Sequence, residues 1–348
     1  MLGPGRLRGL LGSFPALRIG VVGDFFLDAY YDCHRALEER SLETGRACRQ
    51  VVRLRRQAGA AGTVAANLVA LGVGCVEAVG FCGDDGEGYE LRRAMRRLGL
   101  DLQGFLTVPE RFTPTYGKPC HVERHGAGWG VVEELERLDT KNRRPTPAAV
   151  QEAVIACVEA RMGAWDGLIL MDQVSESGCG VLTGRVRRRL LELARQDPHR
   201  PVLGDSRERI HLFRHVLVKP NRAEAARALG GQRPARTPTA AGRHALALAR
   251  CTGRPVFLTL GEQGILVADR GALDHVPGVP VTGPVDPVGA GDSASAAIVA
   301  AMAAGAAPAE AAGLACLVAS ITVQQIGTTG TATPAQVLRR HREVSRAS

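Results

Sequence analysis

The chain has 348 residues, 45% hydrophobic and 23% charged, which is enough to bury the core of one large α/β domain. Its formal charge of +9 comes from arginine, since Lys118, Lys141 and Lys219 are the only lysines. Aromatic residues, at 4%, leave little for base stacking and argue against single-stranded nucleic-acid binding; no nucleic-acid partner is expected. Nine cysteines without a CxxC pair exclude a disulfide framework or a zinc site and fit a reducing, cytoplasmic setting.

Residues 1–16 read as a flexible tail, with no long apolar run before a cleavage site. Leu17 to Gly23 is a short apolar, β-branched run that predicts a buried strand, with Asp24 and Asp28 at and just past its end. Imperfect alternation around 29–34 and 47–54 predicts a small exposed sheet, a lid over about 29–58. A helix follows at 58–72, then a strand at 75–81 and a helix from Tyr89 to Leu98. Further helix–strand pairs follow at 147–162 and 167–171, and at 179–196 and 201–204. A strand at 215–218 precedes a helix at 222–229, and a helix at 239–251 precedes a strand at 255–260.

Such alternation predicts a mainly parallel sheet covered on both faces, with ligands beyond the carboxyl ends of its strands. The Ala-rich stretch 293–323 is broken by Gly305, Pro308 and Glu310, so two packed helices are expected there and no membrane span. One domain, residues 17–340, should carry all of this, with 341–348 as a C-terminal tail.

The most informative segment is DPVGAGD, Asp286 to Asp292, a glycine-rich turn leading into a helix of small residues. Backbone N–H groups of Gly289, Ala290 and Gly291 at the positive end of that helix would form an anion hole. A carboxylate at Asp292 can take a proton from a bound hydroxyl, or can simply cap the helix. Asn221 and Glu224 in KPNRAE form the N-x-x-E pattern of a capping box. The segment from Phe257 to Gly264 reads as a strand ending in a tight glycine turn.

These motifs resemble the ribokinase-like carbohydrate kinases, also called the phosphofructokinase B family, over about Leu17 to Leu338. The resemblance implies a three-layer α/β/α sandwich with a small β lid. It also implies an ATP-dependent phosphotransferase acting on a sugar or sugar phosphate. Asp292 would be the catalytic base, with Gly289, Ala290 and Gly291 as the anion hole and Asp286 near a monovalent cation, K+. Asn221, Glu224, Thr259, Gly261 and Gly264 would surround ATP, and Glu224 would reach Mg2+ through water.

On the acceptor side, the resemblance points to Asp28, Gly59, Thr63 and Asp172. Here the chain departs from the family, with Ala60 in place of a second glycine and Thr63 in place of asparagine. Among subfamilies, VVGDxxLDxYY at 21–31, Ser41-x-Glu43 and IGTT at 326–329 are similar to heptose-phosphate kinases. A phosphorylated acceptor would suit Arg53, Arg55 and Arg56, which otherwise read as a solvated charged edge.

A fused nucleotidyltransferase domain is not expected, because the chain ends soon after the last helix. A homodimer through the lid is expected by the same resemblance. The competing readings are a nucleoside kinase on this scaffold and a catalytically silent binding protein. The first would place Phe25, Phe26 and Tyr30 around a base. The second draws on the altered hinge.

Overall fold

In a computed structural model, which describes residues 2–126, 128–231 and 233–347, strands and helices alternate along most of the chain. It opens with α1 (Pro4–Ser13), β1 (Arg18–Gly23), β2 (Phe25–Cys33), the short β3 (Glu39–Arg40) and β4 (Ala47–Cys48), and β5 (Val51–Ala60). Next come α2 (Ala61–Ala70), β6 (Cys75–Gly83), α3 (Gly86–Arg97), β7 (Asp101–Val108), β8 (Thr115–His125), β9 (Gly128–Glu134) and β10 (Leu138–Thr140). The second half continues with α4 (Ala148–Arg161), β11 (Gly167–Asp172), α5 (Gly184–Gln196), β12 (Val202–Ser206), β13 (Leu217–Val218) and α6 (Arg222–Ala228). It ends with α7 (Pro238–Thr252), β14 (Val256–Thr259), β15 (Ile265–Asp269), β16 (Ala272–Val276), α8 (Ala290–Ala303), α9 (Pro308–Thr322) and α10 (Pro334–Ala347).

Nine strands form the central sheet in the order β16-β15-β14-β13-β12-β11-β1-β6-β7. Pairing is parallel from β7 to β14 and antiparallel for β15 and β16. Side-chain alternation splits the strands between two cores. Ile19, Val21, Ile169 and Met171 face one layer, with α2, α8 and α9; Val22, Leu168 and Leu170 face the other, with α4, α5 and α7. Gly20 lets Trp165 lie against the sheet, since a Cβ there would come 2.7 Å from the indole. The result is the expected three-layer α/β/α sandwich.

Two terminal expectations are corrected. The stretch taken for a flexible tail holds α1, and its Leu7, Leu10, Leu11 and Phe14 are buried. Their spacing of three and four residues is an apolar helical stripe, started by Pro4 at the first helical position. The expected tail from 341 belongs to α10, where His341 is buried with Nε2 2.7 Å from the Leu2 carbonyl. The two ends of the chain therefore pack on each other.

The lid is also larger than its expected bounds of 29–58. Its sheet runs β10-β8-β2-β5, with β9 on β8, so residues 115–140 supply half of it. Strand β2 continues from β1 with only Asp24 between them. The Asp24 carboxylate accepts from the backbone amides of Gln173, Val174 and Val181, tying the lid's root to the loop after β11. Among the described residues, no helix is long and apolar enough to cross a membrane.

Candidate active site

A cleft of about 780 Å³ lies beyond the carboxyl ends of β12, β13 and β14, where a doubly covered parallel sheet takes ligands. It brings together Asn221, Glu224, Thr259, Gly261, Gly291 and Asp292. Asn221 starts α6 with a complete capping box. Its Oδ1 accepts from the amides of Ala223 and Glu224, and Glu224 Oε2 accepts from the Asn221 amide at 2.8 Å. The Thr259 amide donates to the Pro220 carbonyl at 2.9 Å, which holds the two segments side by side. Gly264 has φ 93°, and a Cβ on it would fall 2.1 Å from the Val276 carbonyl oxygen, so no other residue fits that turn.

Gly289 takes φ 80° to turn the chain into α8. The Ala290 amide donates to the Pro287 carbonyl at 3.1 Å and is thus engaged within the turn, while Gly291 faces the cleft. Asp286 stands outside the cleft and braces the turn. Its carboxylate accepts from the amides of Val288 (3.0 Å) and Gly327 (3.2 Å).

Asp292 lies in the first turn of α8, partly exposed to the cleft. Burial raises its pKa to about 7, and the neighbouring Asp205 carboxylate adds to the shift, against the pull of Lys219 and Arg207. Lys219 is buried, its ammonium 3.2 Å from Asp205 Oδ2, and the Ser295 hydroxyl donates to the same oxygen at 2.8 Å. Burial also raises the Glu224 pKa, against the attraction of Lys219.

Asp28, Gly59 and Thr63 gather on the lid side of the glycine turn. Asp28 is buried on β2, and its Oδ1 lies 3.2 Å from the Lys118 ammonium. Gly59 gives that carboxylate room, since a Cβ there would approach Asp28 Oδ2 to 2.7 Å. Thr63 sits beside the turn, its methyl within 3.5 Å of where a Gly289 Cβ would be. Ala60 adopts φ 54° and ψ −116°, a strained conformation for a residue with a side chain. Arg53 and Arg55 are both bound to the buried Asp32, and Arg55 also donates to the Gly327 carbonyl at 3.2 Å. The Arg56 guanidinium lies 4.8 Å from the Tyr31 ring centre.

Asp172 is buried at the end of β11 and is not among the residues lining the cleft. It accepts from the Ser206 hydroxyl at 2.7 Å and lies 3.4 Å from Arg209. Burial raises its pKa to about 6, and Asp24 adds to the shift. The next residue, Gln173, is the one that lines the cleft.

The sequence reading assigned no role to Asp205, Lys219, Lys118 or Gln173. A signal for two of them was present. In a chain that uses arginine almost everywhere, two of its three lysines lie at this site. A compact ammonium fits beside a single buried carboxylate where a forked guanidinium would not.

The chain matches the pfkB family carbohydrate kinase profile over residues 19–336. It belongs to that family. The chain is 31% identical to the bifunctional protein HldE of Rhodopseudomonas palustris strain BisB18 over 277 residues, 79% of this chain and 53% of that protein. It is 30% identical to the bifunctional protein HldE of Geobacter metallireducens over 323 residues, 91% of this chain and 61% of that protein. The chain thus spans little more than half the length of these relatives. Among solved structures, the chain is similar to Arabidopsis thaliana ribokinase complexed with ribose and ATP, with a TM-score of 0.66 at 19% identity over 93% of this chain and 98% of that one. It is similar also to Escherichia coli phosphofructokinase-2 in complex with substrates and products, with a TM-score of 0.68 at 17% identity over 95% and 100%. The fold is therefore ribokinase-like.

Proposed function

We propose that this kinase moves the γ-phosphoryl of ATP to a hydroxyl of a sugar phosphate, with heptose 7-phosphate as the leading acceptor. The observation that carries the reading is the position of Asp292 in the first turn of α8, on the wall of the cleft, where burial raises its pKa to about 7. A base with that pKa can accept a proton near neutral pH. The acceptor oxygen bonds to phosphorus as the bond between phosphorus and the β,γ-bridging oxygen breaks. The proton passes to Asp292, and ADP leaves with the bridging oxygen. Gly291 and the start of α8 stabilise the charge that builds on the transferring group. Lys219 keeps Asp292 and Asp205 from accumulating unbalanced negative charge.

Asp28 would accept from acceptor hydroxyls, held in place by Lys118. The heptose assignment draws on the similarity of residues 21–31 and 326–329 to heptose-phosphate kinases. The lid arginines support a phosphorylated acceptor, though Asp32 neutralises part of the charge on Arg53 and Arg55.

Magnesium takes oxygen ligands and keeps several waters. Among the described residues, no group of three or more His, Cys, Asp or Glu gathers as a metal cage. The cleft carboxylates of Glu224 and Asp205 are of the right chemistry to hold a hydrated ion that travels with the ATP phosphates. Such an ion would shield the phosphate charge during transfer. Asp286, beside the 326–330 loop, is the residue nearest in character to a K+ site.

A homodimer through the lid is supported by the exposed apolar side chains of Leu42, Val51, Leu54, Val132 and Leu138 on that sheet and its connecting loop. A cytoplasmic location fits the nine free cysteines.

The test is ADP release by the purified protein against sugars and sugar phosphates, heptose 7-phosphate included, with nucleosides alongside. Acceptor-dependent release that falls by roughly two orders of magnitude or more in Asp292→Asn is the expected result. Near-normal turnover by Asp292→Asn would remove the base assignment. A preference for nucleosides would remove the sugar-phosphate reading.

A further inference from the structure

A second cavity, of about 820 Å³, lies at the opposite end of the sheet from Asp292. Its walls include Pro255, just before β14, and Pro198 and His199, just before β12. These are the amino ends of strands whose carboxyl ends reach the active-site cleft. Helix α8 marks the separation. Asp292 is in its first turn, and Met302, near its end, lines the second cavity. Ten residues of helix amount to about 15 Å of rise.

The lining is strongly cationic. Arg195, Arg250, Arg254 and Arg270 face the cavity, with Asp269 as the acidic residue on its wall. None of the four arginines makes an ion pair among the described residues. Arg254 Nε is buried without a hydrogen-bond partner, while another nitrogen of the same guanidinium donates to the Pro198 carbonyl. Burial lowers the Arg254 pKa and Arg270 adds to that, against the pull of Asp269. Gathering unpaired like charges in a concave site costs free energy that a bound anion offsets. Guanidinium forks match phosphate oxygens in pairs.

The apolar part of the wall comes from Leu246, Ala249 and Met302. The lining includes no Phe, Tyr or Trp, and its rings are those of His199 and His215. A concave site of this size suits a small molecule rather than a nucleic-acid backbone.

We propose that this cavity is a second ligand site, separate from the catalytic cleft, for a small phosphorylated metabolite that carries at least two phosphate groups.

The test uses the full chain and inorganic pyrophosphate, followed by isothermal titration calorimetry in the presence of saturating ADP. One saturable site that survives ADP is expected. The double variant Arg250→Gln/Arg270→Gln should bind pyrophosphate at least about tenfold more weakly. Both side chains are exposed and outside the cleft, so turnover and Tm should stay at the parent values. Complete displacement of pyrophosphate by ADP would assign all binding to the catalytic cleft and overturn the proposal. Unchanged affinity in the double variant would overturn it too. So would non-saturating uptake that heparin or RNA reproduces, since that describes a general basic surface.

Discussion

The Lys219 ammonium lies 3.2 Å from the Asp205 carboxylate, and both act electrostatically on Asp292. The pair is buried, so its members depend on each other. Lys219→Met would leave Asp205 as an uncompensated buried charge and cost about 3–5 kcal/mol in urea unfolding. It would also remove the attraction that holds the Asp292 pKa down, so the acid limb of the pH–rate profile should move to higher pH. Parent-like stability with an unmoved profile would show that Lys219 is not coupled to the base.

The Asp292 carboxyl titrates at about 7, well above the ordinary 3.8, chiefly through burial. As the proposed base it must be ionised, so kcat/KM should fall tenfold per pH unit below about pH 7. The folded state keeps the proton over a pH range in which the unfolded chain has already lost it. Stability from this group is therefore present at low pH and declines as pH rises from about 4 to about 7. Asp292→Asn, which stays neutral, should be more stable than the parent at pH 8 by roughly 1–3 kcal/mol and equal to it at pH 4. A thermal unfolding series across pH reads this directly.

Ala60 occupies φ 54° and ψ −116° at the join between β5 and α2. Backbone conformations of this kind cost on the order of 1–3 kcal/mol in a residue with a Cβ. Ala60→Gly should relieve that strain and raise Tm, with a net gain of about 1 kcal/mol once glycine's greater unfolded freedom is counted. A lower Tm for Ala60→Gly would show that the methyl group contributes packing worth more than the strain.

The proposed acceptor side has its own internal check. Gly59→Ala would bring a methyl to 2.7 Å from Asp28 Oδ2, and Lys118→Met would strip Asp28 of its cation. Both should raise KM for the acceptor by roughly tenfold or more and leave ADP binding unchanged. Equal loss of ADP affinity would mean that this group serves the whole cleft and not the acceptor alone.

Local chemistry made much of this protein readable from its residues. The capping box of Asn221 and Glu224 joins atoms three residues apart, and the Gly289 turn needs a positive φ that the chain states by its glycine. The strand and helix alternation of the central sheet follows from side-chain periodicity, as Val21, Val22, Leu170 and Met171 show by dividing between two cores. Apolar periodicity within α1 was present as well, but Gly5, Gly9 and Gly12 spaced among the leucines disguised a two-to-three-turn helix as a tail.

Tertiary structure decided what depends on distant partners. Strand β8 joins the lid by pairing with β2, about ninety residues earlier, and its alternation alone does not say which edge it will occupy. That pairing is what sets Lys118 against Asp28. Likewise, the acidity of Asp292 is a property of burial and of Asp205 and Lys219, which come from β12 and the segment after β13. Residues near in sequence share a turn and reveal their bonds by spacing. Charge, solvation and shape at the site are set through space, by side chains that only the folded chain brings within a few ångströms.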